Sequence, residues 1–314
     1  VINLFNPTIQ GFYDALLVAF LLGIVHGITP DEHTWPITFS YAVGTTSRKG
    51  GAKAGLIFST GFTIQRALMS EIAFFALAPV FFLPYYDGII YIIVGSVMAL
   101  SGFYIMKKLK YPHFHFFEKI LGNKLKIHKP YSHGQELEYE HKINPLDSEA
   151  EEDYRPVPLK LAFVHGLIAG FGFGAFALIL FTVISPSMPN AYVAWLPGAL
   201  FGLGTMAMQV LFGTVFAAWI IKVKKLTNEG LSFVARGISS YVLAYGGLAF
   251  VFAGISTIIY PKLFDYAIVT PIYVHNLHNL GIGFFLVIIS VIVIGYIGYK
   301  VNLRKAIKKG LTTT

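Results

Sequence analysis

The chain has 314 residues, of which 55% are hydrophobic and only 13% charged, with a mean hydropathy of +0.64. That composition excludes an ordinary soluble domain and points to a polytopic membrane protein. The formal charge of +8 is no evidence for nucleic acid, because the basic residues fall where cytoplasmic loops belong, and the absence of cysteine excludes disulfides and thiolate metal sites.

Repeated apolar stretches, several long enough to span a bilayer, predict an all-α bundle of about eight transmembrane segments rather than a barrel. Residues 1 to 10 carry no charge, and Gly11 to Val25 forms the first span, expected to be retained because no basic region or small-residue cleavage site precedes it. A second, broken segment runs from Pro30 to about Gly44. At 1.5 Å per residue it is only about 22 Å long, short for a full crossing, so a re-entrant piece with the N-terminus outside is the alternative. Further spans are expected at 55–82, 88–106, 159–185, 191–221, 231–260 and 280–299.

The positive-inside rule sets their direction. With both ends in the cytoplasm, 22 of the 24 Lys and Arg fall in cytoplasmic loops and the C-terminal tail, leaving only Lys262 outside and Arg66 in the membrane. Domains follow: an N-terminal membrane half (1–106), a polar loop (107–158), a C-terminal membrane half (159–300) and a basic tail (301–314). The loop holds nine of the sixteen acidic residues and five of the ten histidines, with His113 and His115 as its one tight pair. Such a loop either collects metal ions or is a solvated linker.

The halves echo each other. Val25-His26-Gly27-Ile28 recurs as Val164-His165-Gly166-Leu167, Phe58-x-x-Gly61 with Gln65 recurs as Phe201-x-x-Gly204 with Gln209, and the Gly95 to Gly102 step recurs as Gly247 to Gly254. Three segments per half make the repeat inverted, a common transporter plan; chance among glycine-rich apolar helices is the alternative.

The chemistry concentrates at His26 to His33, where two imidazoles and two carboxylates interrupt an apolar region. Ionisable groups at membrane depth are functional candidates by default. Thr29 also fits an N-cap, Pro30 a first helical position and Glu32 a capping-box residue, so a helix is expected to start at Pro30. His26, Asp31 and His33 then converge on the break as ligands for nickel, cobalt, zinc or iron(II), with Gln65, Gln209 or a carbonyl as a fourth donor. Arg66, near mid-membrane, needs a partner, with Asp31, Glu32 and Glu71 as the carboxylates available; free in a cavity, it would suit an anion. His165 is either a pathway residue or a histidine bonded at a helix start. His275 and His278 are neighbours if helical, as an entry site or as plain interfacial residues.

These motifs resemble the nickel/cobalt transporter (NiCoT, NicO-like) family. Its signature His-x4-Asp-His has a counterpart in His26 to His33, with one extra residue between Asp31 and His33. Phe58-Ser59-Thr60-Gly61-Phe62-Thr63 matches the family's Phe-x-x-Gly-His-Ser with Phe62 at the histidine position. Gly172-Phe173-Gly174-Ala175 echoes a Gly-Phe-Asp-Thr motif without its Asp. The resemblance implies eight helices with cytoplasmic ends, His26, Asp31 and His33 as ligands, and nickel or cobalt as cargo.

The expected function is thus transport of a divalent transition-metal ion in the cell membrane, with no prosthetic group. Partners are the lipid bilayer, the ion and a homo-oligomer or membrane complex. No phosphate-binding loop and no His-Glu-x-x-His pattern is present, so an enzyme is not expected. The rival readings are a small-anion secondary transporter using Arg66, and a non-transporting subunit of a membrane complex.

Overall fold

A computed structural model describes residues 3–77, 85–107, 157–172, 174–222 and 226–313 of the chain. His113, His115 and the other loop histidines lie outside the described residues, as does Phe173. The described part is almost entirely helical: α1 (Phe12–Ile28), α2 (Trp35–Gly44), α3 (Arg48–Ile72), α4 (Tyr86–Lys107), α5 (Lys160–Ala169), α6 (Ala175–Ser187), α7 (Leu196–Ile221), α8 (Asn228–Ile259) and α9 (Ile282–Lys308). Between α8 and α9, β1 (Ile268–Val269) and β2 (Asn279–Leu280) form an antiparallel ribbon, Ile268 opposite Leu280.

Among the described residues, four helices are long and apolar enough to cross a membrane: Tyr86–Met106, Ala191–Ile221, Asn228–Ile259 and Ile282–Lys308. The other expected spans take different forms. α1 and α2 are short helices of 17 and 10 residues separated by a break, and α5 and α6 are separated by a second break at Gly170 to Gly174. α3 carries Arg48, Lys49, Lys53, Arg66 and Glu71.

Glycine sets how closely these helices approach. α3 and α7 run antiparallel with Gly51 and Gly213 backbone to backbone, Gly55 on Gln209 and Gly198 on Arg66. α1 crosses α7 where Gly23 meets the Phe201 carbonyl, and α5 crosses α3 where Gly166 meets the Phe58 carbonyl. α4 and α8 meet through Gly95 and Gly247, each at the other's backbone oxygen. A β-carbon at any of these positions would collide with main chain, so small residues are what permits the contact.

The His275 imidazole bonds the Phe5 carbonyl at 2.8 Å, near the start of α9. Leu311, beyond its other end, accepts from Thr227 N–H at 3.1 Å and packs in one cluster with Val43, Ile220 and Ala306. α9 has 27 residues and spans about 40 Å, so the described N- and C-terminal residues lie at opposite ends of the bundle. α1 and α2 together, not each alone, run along α7, from Gly23 at the Phe201 carbonyl to Val43 in one cluster with Ile220. The ten residues of α2 cover only about 15 Å, and Pro36 to Gly44 are all buried.

Candidate functional site

The first break begins at Thr29, whose backbone is extended because the residue before a proline is pushed out of the helical region. Thr29 closes α1, its hydroxyl donating to the His26 carbonyl at 3.2 Å. Asp31 then organises the turn. Its Oδ1 accepts the His33 N–H at 3.0 Å and its carbonyl accepts the Trp35 N–H at 3.0 Å, so α2 starts at Trp35 rather than at Pro30. The expected capping box is corrected: Asp31 bonding two residues ahead outcompetes a helix through 30–34.

The site histidines and carboxylates resolve into two pairs. His26 Nδ1 lies 3.6 Å from Asp31 Oδ2, with the His26 ring packed among Phe62, Phe176 and Phe201. His33 Nε2 lies 3.6 Å from Glu32 Oε1, and the same oxygen accepts from the Tyr91 hydroxyl at 3.0 Å. Among the described residues no group of three or more His, Asp or Glu is arranged to hold a metal ion, so His26, Asp31 and His33 do not share one centre. The reason is the Asp31 turn, which uses one carboxylate oxygen on the His33 main chain.

The second break faces the first. The His33 ring occupies the space a β-carbon at Gly172 would need, and the Gln65 side chain does the same at Gly170. Arg66 donates from Nη2 to the Gly172 carbonyl at 3.0 Å, and its guanidinium lies over Phe62, Phe181 and Phe201 at 4.8, 5.5 and 5.6 Å. Among the described residues Arg66 makes no ion pair, which corrects the expected carboxylate partner; a carbonyl and aromatic faces stabilise it instead. Among the described residues Glu71 forms no ion pair with it, and its Oε2 is buried and unbonded.

Among the described residues, a set of buried polar atoms around these breaks has no hydrogen-bond partner: both His26 nitrogens, His33 Nδ1, both Gln65 amide atoms, Arg66 Nε and Nη1, and Gln209 Oε1. Gln209 Nε2 makes a long bond of 3.4 Å to the Gly27 carbonyl. An unsatisfied buried group costs about 1–3 kcal/mol, which singles this region out as a candidate site for bound water or an ion. His165 sits elsewhere on α5, its Nδ1 2.8 Å from the Leu161 carbonyl and 3.0 Å from the Tyr41 hydroxyl, with Nε2 unbonded.

Beside the first break lies a cavity of about 230 Å³, lined by Glu32, His33, Asp87, Tyr91, Asn276 and Asn279 among others. Sequence reasoning missed Asp87, Tyr91 and Asn276. Asp87 opens an apolar span, where an acidic residue is an ordinary helix start, and Tyr91 is one aromatic among 18 tyrosines. Asn276 carried one local signal, a polar residue between histidines. It adopts φ 65° and points Nδ2 at Asp31 Oδ2, 3.5 Å away.

His275 and His278 lie in a turn rather than a helix, so their expected helical pairing is corrected. Phe5 packs against both, stacking on His275 at 4.4 Å and meeting His278 edge-on at 5.4 Å. Burial holds the His275 pKa below its ordinary 6.5, outweighing the opposing bond to Phe5, while His278 adds to the lowering. The sign follows. A lowered pKa means the unlatched state binds protons more readily, so the Phe5 latch is at full strength above about pH 6.5 and weakens as pH falls through the lowered value. Hydrogen exchange of residues 5–10, corrected for intrinsic rates, is expected to speed up between pH 7.5 and about 5 and to lose that dependence in His275→Gln. A flat wild-type profile would show that His275 does not control the latch.

No family model, curated protein or solved structure matches the chain.

Proposed function

We propose that the chain is a transporter of divalent transition-metal ions, nickel or cobalt first, with the ion passing between the His33–Glu32 and His26–Asp31 pairs. One observation carries this reading: two interrupted helices present their breaks to each other, one bearing His and carboxylate side chains and the other glycine and main-chain carbonyl. Breaks of this kind line binding sites in transporters because irregular backbone is tolerated in a membrane only where it borders protein or a cavity. Imidazole and carboxylate suit borderline divalent ions, and two partial pairs allow release where one closed shell would retain the ion. The resemblance to nickel/cobalt transporters supports the same cargo.

The contact pattern also supports an inverted repeat. α1 on α7 corresponds to α5 on α3, while α3 with α7 and α4 with α8 form self-paired contacts. On this reading the described helices cross the membrane seven times: three crossings (α1–α2, α3, α4), three inverted ones (α5–α6, α7, α8), and α9. Arg48, Lys49, Lys53, Lys222, Arg236 and the basic residues of 300–309 face the cytoplasm, and the described N-terminal residues lie outside. This replaces the eight-segment plan, because each broken pair counts once.

Nickel and cobalt flux into proteoliposomes tests the cargo. His26→Ala and His33→Ala are each expected to lower it at least about tenfold, as loss of a metal-facing group does. Wild-type flux unchanged in both variants would end the metal reading. Arg66 favours a second reading, since among the described residues its buried guanidinium has two unbonded nitrogens and makes no ion pair with a carboxylate. Anion flux abolished by Arg66→Gln, with metal binding absent from the wild type, would establish it instead.

A further inference from the structure

We propose that the cavity beside the first break is a docking site for a fully hydrated divalent cation, held through its water shell before any ligand is stripped. The inference deepens the transport reading and rests on it for the identity of the cargo, but the cavity has its own chemistry. Glu32 and Asp87 bring two carboxylates to its wall, and Tyr91, Asn276 and Asn279 add a phenol and two amides. His33, only 6% exposed, lines the same space with Nδ1 unbonded.

Spacing favours the hydrated ion over a naked one, and size permits it. Six waters of an octahedral shell take about 180 Å³ at ~30 Å³ each. The cavity of about 230 Å³ accommodates them together with the ion. A naked ion needs several donors at about 2.0–2.6 Å from one point, and no three His, Asp or Glu among the described residues meet that demand. Glu32 is moreover fixed from two sides, by the Tyr91 hydroxyl and by the backbone of Gly283, where a β-carbon would collide with the carboxylate. A carboxylate so fixed binds well to water hydrogens around a cation and cannot move to complete a shell around the cation itself. Two acidic groups in a walled cavity also concentrate cations from solution. Stripping then falls to the deeper pair, where His26 has two unbonded nitrogens beside Asp31.

Hexaamminecobalt(III) is the probe, because its six ammines donate hydrogen bonds as bound water does and do not exchange. Calorimetry on the full chain in nanodiscs is expected to show binding that weakens about tenfold in Asp87→Asn, equivalent to about 1.4 kcal/mol, and tightens in Asn279→Asp. The probe is expected to inhibit nickel flux competitively without being carried. No binding, or binding indifferent to both substitutions, overturns the docking site whatever the flux shows. Binding that responds to both substitutions while no divalent metal is transported would retain the cavity as a hydrated-cation site and remove the transport reading alone.

Discussion

Asp31→Asn is expected to fold and lose metal flux, whereas Asp31→Ala is expected to lose both flux and stability. Asp31 has two separable duties. Its Oδ1 accepts the His33 N–H and so shapes the turn between α1 and α2, while Oδ2 faces His26 Nδ1 at 3.6 Å and the Asn276 amide at 3.5 Å. Asparagine keeps an acceptor for the turn, because its side-chain carbonyl makes the same local bond. It removes the charge that a divalent ion would meet beside His26. Alanine removes the acceptor as well, leaving a buried N–H unbonded at a cost of about 1–3 kcal/mol. Flux is expected to fall about 100-fold or more in both variants, as loss of a charged group at a binding centre does, with the unfolding midpoint lowered only in Asp31→Ala. Asp31→Asn retaining flux within about twofold of wild type would separate Asp31 from the ion path.

Much of this arrangement was legible in the residues, and what was not has identifiable causes. Composition pointed to membrane helices, and the spans at 88–106, 191–221, 231–260 and 280–299 match helices long and apolar enough to cross. The repeated Val-His-Gly and glycine steps fall at close helix crossings, since a glycine needed for backbone contact leaves a mark whichever half it serves. The local turn at Asp31 is ambiguous in the residues alone because Thr29-Pro30-Asp31-Glu32 satisfies two rules at once. A pre-proline threonine can end a helix as well as cap one, and only the Asp31 bond to His33 decides between them. For Arg66 the sequence leaves open a carboxylate partner or a free place in a cavity, and its observed partners are a carbonyl and three phenyl faces, which no spacing rule displays. Gly172 looked like a degraded motif for lack of an aspartate. Its function lies in its missing side chain, which gives the His33 ring its place and exposes the carbonyl to Arg66. Asp87 and Asn276 reach the cavity from α4 and from the segment before α9, and joining them to residues 30–33 requires the tertiary fold.

Gly166→Ala is expected to be the most disruptive single methyl addition near the site. The new β-carbon would collide with the Phe58 carbonyl and crowd the Phe62 nitrogen, and main chain cannot swing aside as a flexible side chain can. Overpacking of this kind costs about 1–3 kcal/mol where side chains can adjust, so a loss at the top of that range or beyond is expected here. The effect is not confined to stability. Phe62 follows Phe58 by one helical turn, and its ring stacks on His26 at 5.7 Å and lies beneath the Arg66 guanidinium. Pushing α3 away from α5 therefore moves the aromatic wall of the His26–Asp31 pair, so flux is expected to fall even in protein that remains folded. Gly23→Ala makes the corresponding collision with the Phe201 carbonyl on α7, and Phe201 is likewise a wall of the His26 ring, so the two substitutions are expected to have similar consequences. Gly11→Ala, away from both breaks, is the control, since a β-carbon there meets nothing within 4 Å. Unfolding midpoints measured in detergent, with flux in the folded fraction, check all three. Gly166→Ala and Gly23→Ala both behaving like Gly11→Ala would show that the helix crossings have slack and do not set the geometry of the site.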